Sequence, residues 1–174
     1  MQPDARSSPD GTESWSIKID KDYLKFSAAH FLIFPDGTAE RLHGHNYKVF
    51  VAIRSALDAH GLVLNFKQIK PLIKSVLDEL DERWLVPGRH PVLRVEQRPG
   101  LVEVRYRDRY YAAPPEDVLV LPIGNTSAEN LAAHVGRQLL ARIANAFPAV
   151  RISRLEIGVE ETRGQRGVWR WDQR

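Results

Sequence analysis

Three histidines are the residues in this chain best placed to do chemistry. His43 and His45 stand two apart in Glu40-Arg41-Leu42-His43-Gly44-His45-Asn46-Tyr47, and Asn46 to Ile53 reads as a strand. Residues two apart on a strand share a face, so both imidazoles can reach one ion, with Gly44 leaving room between them. A third histidine, His30, ends the strand-like run Phe26-Ser27-Ala28-Ala29-His30. Three neutral imidazoles with an open fourth position form the donor set of a catalytic zinc site, the open position taking water or substrate. A His-x-His pair on a polar strand face needs no metal, so spacing alone leaves both readings open.

The elements that must position these groups follow from periodicity. Trp15, Ile17 and Ile19 alternate with polar residues as a strand, which pauses at Asp20-Lys21-Asp22 and resumes at Tyr23 to deliver His30. Phe34 to Thr38 is a loop by its Pro-Asp-Gly chemistry, and the His-Gly-His strand closes near Arg54. Asp58-Ala59-His60-Gly61 is a turn that leaves His60 to solvent, and Leu62 to Leu64 reads as a short strand. Ile69, Leu72, Ile73, Val76, Leu77 and Leu80 follow helical spacing. Pro71 is tolerated only in a first turn, so the regular helix is predicted to start near Lys70 and end around Asp81-Glu82-Arg83.

Pro87 to Pro91 reads as loop. Leu101–Tyr106 and Tyr110–Ala112 read as a hairpin around a solvated Arg107-Asp108-Arg109 tip, and Val118–Leu121 as an extended run. Thr126-Ser127-Ala128-Glu129 has the form of a capping box, opening a helix through Leu131, Val135, Leu139 and Ile143 that Pro148 ends. Ile152–Val159 and Val168–Trp171 close the chain as strands, with Trp15, Trp169 and Trp171 read as packing residues. Strand runs with two helices laid on one face of an antiparallel sheet make an α+β domain. Residues 1–12 are polar and aperiodic and read as a disordered leader; residues 13–174 form one domain.

Composition narrows the class. There are no cysteines among 174 residues, so thiol chemistry and disulfides are excluded, which fits a cytoplasmic location. The net charge of +3 comes from scattered basic residues and argues against a nucleic-acid interface. No apolar run approaches a membrane span.

Taken in order, Phe26-Ser27-Ala28-Ala29-His30, His43-Gly44-His45-Asn46-Tyr47, Val63-Leu64-Asn65-Phe66, Leu80-Asp81, Asn125-Thr126-Ser127-Ala128-Glu129-Asn130 and Glu160-Glu161-Thr162 resemble the 6-pyruvoyl-tetrahydropterin synthase / 6-carboxy-tetrahydropterin synthase family, from about Ser16 to Trp171. The resemblance implies a tunnelling fold in which subunit sheets join into an oligomeric barrel. The implied assembly is a homohexamer built as a dimer of trimers, with sites at subunit interfaces. It implies Zn2+ on His30, His43 and His45, a pterin triphosphate substrate, and Glu161 as the pterin anchor, helped by Thr126 and Ser127.

The chain also departs from the family. The cysteine expected shortly before His-Gly-His is absent, Ala39 standing before Glu40, and Glu82 follows Asp81 where histidine is expected. Asn65 stands where aspartate is commoner. In the type III branch of the family a glutamate three residues before the first His-Gly-His histidine replaces the cysteine, and Glu40 occupies that position. That branch implies side-chain cleavage of 7,8-dihydroneopterin triphosphate to 6-hydroxymethyl-7,8-dihydropterin, with Glu40 as base and Asp81 and Glu82 as a relay. Alternatives are a 6-pyruvoyl- or 6-carboxy-tetrahydropterin synthase, disabled or not by Ala39, and a non-catalytic pterin-binding oligomer.

Overall fold

The computed structural model describes residues 13–174, so the predicted leader lies outside the described residues. Two long strands dominate, β1 (Trp15–His30) and β2 (His43–Ser55). They pair antiparallel from Trp15↔Ser55 to His30↔His43, so the register itself sets His30 opposite His43 and Ala28 opposite His45. The Asp20-Lys21-Asp22 pause is not a chain break. β1 runs through it with a register shift between Asp20 and Lys25, a bulge that absorbs the extra residues.

Helix α1 (Phe66–Asp78) starts earlier than its proline suggested. Asn65 takes the N-cap and its side chain accepts from the Lys67 amide at 2.9 Å, leaving Pro71 inside the helix. The cap fixes the start, and Ile69, Ile73, Val76 and Leu77 bury the face that holds it. Residues 62–64 form no strand; they are held by the Asp58 turn, whose carboxylate accepts from the amides of His60 and Leu62. β3 (Arg83–Pro87) and β4 (Arg94–Arg98) were not expected as strands. They are followed by β5 (Leu101–Tyr106), β6 (Arg109–Ala113), a 3-10 turn at Pro115–Asp117 and β7 (Val118–Leu121).

Helix α2 (Ala128–Ala146) is capped by Ser127, not Thr126, with the Ser127 hydroxyl accepting from the Asn130 amide at 3.4 Å. The predicted box is shifted by one residue because Thr126 is buried and donates its hydroxyl to the Phe31 carbonyl at 3.0 Å. β8 (Ile152–Thr162) and β9 (Gln165–Asp172) form the closing hairpin.

The large sheet has the order β7-β3-β1-β2-β8-β9, and β4-β5-β6 form a second sheet. Antiparallel pairing prevails, but β1 with β3 and β3 with β7 run parallel, which the expectation of an antiparallel sheet did not include. Both helices pack on one face, over Phe26, Tyr47, Val49, Leu155 and Ile157. The small sheet covers the other face at the β3 end. Trp84 and Val86 of β3 join Val102, Val104 and Tyr106 there, while Leu85 between them joins the helix-side core. That alternation is why so short a strand is buried along most of its length. Among the described residues no helix is long and apolar enough to cross a membrane.

Candidate metal centre and its carboxylates

The three histidines converge where β1 ends and β2 begins. Their ligand nitrogens all lie within 4.8 Å of one another, with ring centroids 4.8 to 5.3 Å apart. His30 is fully buried, His45 is half-buried and His43 is the most open.

Backbone carbonyls orient two of the rings. His30 Nδ1 lies 3.1 Å from the Thr126 carbonyl and His43 Nδ1 2.7 Å from the Arg41 carbonyl. A carbonyl can only accept, so each Nδ1 carries the proton and each Nε2 keeps its lone pair. His30 Nε2 is buried and has no hydrogen-bond partner. It faces the Glu161 carboxylate at 3.1 Å, and His45 Nε2 lies 3.6 Å from the same oxygen. Lone pairs and a carboxylate set face to face repel unless a cation sits among them, and the three imidazoles fit a zinc ion with a further position left open. Burial holds His30 below the ordinary imidazole value, offset in part by the Glu161 carboxylate and the Thr126 carbonyl. The ring therefore favours its neutral, metal-binding form.

Tyr47 was read only as part of the motif, yet it is fully buried and stacks on Phe26 at 4.7 Å. Its hydroxyl donates to Glu161 Oε1 at 3.2 Å. Burial and the adjacent carboxylate push its ionisation well up, so it remains a donor. The signal available in the sequence was Tyr47 following His43 and His45 at the same two-residue spacing.

Glu40 lies at the open side of the cluster. Its Oε2 is 3.9 Å from His43 Nε2 and accepts from the Leu32 amide at 3.1 Å, while its own amide donates to the Leu32 carbonyl at 3.0 Å. Asn125 clamps the same segment, donating to the Ile33 carbonyl at 2.8 Å and accepting from the Ile33 amide at 3.3 Å. Thr126 reaches the centre through His30 and Phe31, and Ser127 is occupied as the cap of α2.

Asp81 and Glu82 stand elsewhere. Asp81 accepts from the Ser27 amide at 2.7 Å and the Glu82 amide donates to the Ser27 carbonyl at 2.7 Å. These groups attach on the β3 side of β1, across that strand from β2. The Glu82 backbone is left-handed, with φ 55°, and its side chain is exposed at a groove shared with Asn46, Trp84 and Asp117. Among the described residues neither carboxylate makes an ion pair with the histidines, although His45 lines the same groove as Glu82.

The family model described as 6-pyruvoyl tetrahydropterin synthase matches residues 18–170. A putative 6-carboxy-5,6,7,8-tetrahydropterin synthase of Methanocaldococcus jannaschii is 33% identical over 148 residues, covering 84% of this chain and 90% of that protein. A second, from Pyrococcus abyssi, is 28% identical over 129 residues, covering 74% and 77%. The 6-pyruvoyl tetrahydropterin synthase of Plasmodium falciparum superposes with a TM-score of 0.87 at 27% identity, over 93% of this chain and all of that one. With the match spanning nearly every described element, and with the histidine cluster formed by the strand register, the chain belongs to the 6-pyruvoyl tetrahydropterin synthase family.

Proposed function

We propose that the protein is a zinc-dependent pterin lyase that cleaves the side chain of 7,8-dihydroneopterin triphosphate to 6-hydroxymethyl-7,8-dihydropterin, with Glu40 as the base. The observation that carries this reading is Glu40 itself. In a chain without cysteine, it is the carboxylate that lies beside the most open of the three histidines, its Oε2 held there by the Leu32 amide. Zinc held by His30, His43 and His45 would supply Lewis acidity toward the substrate hydroxyls.

Glu40 takes the proton of the side-chain hydroxyl, and that oxygen becomes a carbonyl as the adjacent carbon–carbon bond breaks. The electron pair passes into the dihydropterin imine, and the carbonyl fragment leaves with the triphosphate. The proton held by Glu40 is then returned to the ring-side carbon as a new carbon–hydrogen bond, leaving a hydroxymethyl group on the ring. Glu161 accepts from the aminopyrimidine N–H groups, and Tyr47 fixes the direction of its carboxylate. Thr126 serves the substrate indirectly by orienting His30, and Ser127 by setting the start of α2. Asp81 and Glu82 act as the relay from a neighbouring copy in a homohexamer, since within one chain neither pairs with the histidines. A Plasmodium vivax 6-pyruvoyltetrahydropterin synthase of the same fold, 24% identical with a TM-score of 0.86, has a glutamate as a catalytic residue, so the fold accepts a carboxylate in that role.

A second reading, 6-carboxy-tetrahydropterin synthase, is favoured by the name of the Methanocaldococcus jannaschii relative. Product analysis separates the two. Zinc-loaded protein given dihydroneopterin triphosphate yields 6-hydroxymethyl-dihydropterin, and Glu40→Ala lowers the rate at least ~100-fold, within the usual range for losing a general base. A carboxylated product would replace the first reading with the second, and a pyruvoyl product with a 6-pyruvoyl-tetrahydropterin synthase. Tight pterin binding without turnover would leave a binding protein.

A further inference from the structure

The geometry points to Arg109 as a positioning residue for this reaction: the β5–β6 hairpin is a brace that sets where the Glu40 carboxylate stands. The inference rests on Glu40 being the base, and it concerns a residue 69 positions away in sequence.

The Glu40 segment has little to hold it. Between β1 and β2 the chain runs as a loop whose pairing is an isolated bridge, Ile33↔Ala39, with one backbone and one side-chain bond between Glu40 and Leu32 and the Asn125 clamp on Ile33. The hairpin grips that loop at three successive points. Tyr106, almost fully buried, donates its hydroxyl to the Gly37 carbonyl at 2.9 Å. The Arg107 guanidinium lies over Gly37 so closely that a Cβ there would fall 1.7 Å from Nη2, and Gly37 has φ 81°. Arg109 then spreads its fork over two adjacent carbonyls, Nη2 to Ala39 at 2.6 Å and Nη1 to Glu40.

A planar guanidinium meets two neighbouring acceptors with a pre-organised fork, whereas an ammonium on a flexible stem fixes their direction less well. Both bonds are charge-assisted and partly shielded from water, which makes them stronger than the neutral backbone bond from Glu40 to Leu32. The hairpin is itself fixed. Val102, Val104 and Tyr106 pack against Phe31, Ile33 and Trp84, so the brace rests on the same strand end that delivers His30. The metal position and the carboxylate are thereby referred to one rigid body. A displacement of about 1 Å at a reacting group lowers rate on the order of 100-fold without weakening remote substrate contacts, which is the signature of lost positioning.

The test uses zinc-loaded protein and dihydroneopterin triphosphate. Arg109→Ala is expected to lower kcat by ~30-fold or more with KM within about threefold, and with zinc content unchanged. Arg109→Lys recovers part of the loss. Arg105→Ala, in the same hairpin but on β5 and paired outward with Glu103, changes neither constant. In the Glu40→Ala background, Arg109→Ala produces no further loss, because the residue it positions is gone. Hydrogen exchange gives a readout independent of turnover: the amides of Leu32 and Glu40 lose protection in Arg109→Ala, while those of His43 and His45 keep theirs.

A normal kcat in Arg109→Ala beside a disabled Glu40→Ala overturns the brace and leaves the base standing. A multiplicative loss in the double variant, or a loss of zinc, also overturns it. Full activity in Glu40→Ala instead removes the base reading, and the exchange experiment alone then decides the brace: unchanged protection at Leu32 and Glu40 ends it.

Discussion

At the residue scale the centre depends on what each polar atom is already committed to. Glu161 is a divided carboxylate: one oxygen is held by Tyr47 and faces two imidazoles, and the side chain remains about one-fifth exposed. In the proposed role it accepts two hydrogen bonds from the pterin, each worth roughly 1.5–3 kcal/mol with a charged acceptor. Glu161→Ala is therefore expected to weaken pterin binding by ~100-fold or more, since about 1.4 kcal/mol is a factor of ten. Zinc content stays unchanged, because all three histidines remain. Tyr47→Phe removes one orienting bond of about 1 kcal/mol and should weaken binding only about fivefold. Fluorescence titration with a dihydropterin reads both, and equal affinities for Glu161→Ala and wild type would remove the anchor role.

The histidines were legible because a two-residue spacing on a strand is itself a geometric statement. Glu161 was legible only through the family resemblance, as a carboxylate at a strand end is ordinarily solvated. Arg109 was read as part of a solvated hairpin tip, because its two acceptors lie 69 and 70 positions away and leave no local pattern.

At the scale of elements, local signals succeeded where a face was clearly buried and failed where burial came from both sides. β1, β2, β8 and the two helices announced themselves by period. β3 did not: Arg83-Trp84-Leu85-Val86-Pro87 is short, ends in proline and follows a helix, and only its position between β1 and β7 makes it a strand. β4 has Val95 as its one apolar residue and alternates nothing. Thr126 drew the capping box one residue early, since a hydroxyl before an apolar run looks the same whether it caps the helix or bonds the Phe31 carbonyl.

Packing also reverses propensity within α2. Alanine is favoured over glycine in a helix by about 1 kcal/mol, yet a Cβ on Gly136 would lie 2.2 Å from the Trp169 ring of β9. The ring is half-buried on the helix-side core, and displacing it costs typically ~1–3 kcal/mol. Gly136→Ala is expected to lower the urea midpoint, and pairing it with Trp169→Leu to restore much of the loss. A raised midpoint in the single variant would mean that the ring turns aside freely.

At the scale of the whole molecule, the net charge is small and the described surface carries ion pairs, among them Lys48–Asp20, Arg166–Glu160 and Arg170–Glu156. Such exposed pairs contribute little to stability individually. Acid sensitivity must come from groups that folding removes from water. His134 on α2 is one, in a groove between α2 and the β3–β7 edge. Burial, with Arg137 beside it, lowers its ionisation from the ordinary 6.5, and Glu79 opposes this. Arg83 lines the same groove from β3.

The sign follows from which state binds the proton first. The unfolded chain protonates at about 6.5 and the folded chain only below that. The contribution of neutral His134 is thus fully present above the unfolded value and is lost as pH falls through the folded one. His134→Gln keeps a polar side chain of similar reach but cannot titrate. Its unfolding free energy should fall less steeply than that of the wild type as pH drops below about 6.5. His30, His43 and His45 are present in both proteins, so acid release of metal cancels in the difference. Urea unfolding across that range, with both zinc-loaded proteins side by side, provides the comparison. Parallel pH profiles would place the acid sensitivity in the metal centre alone.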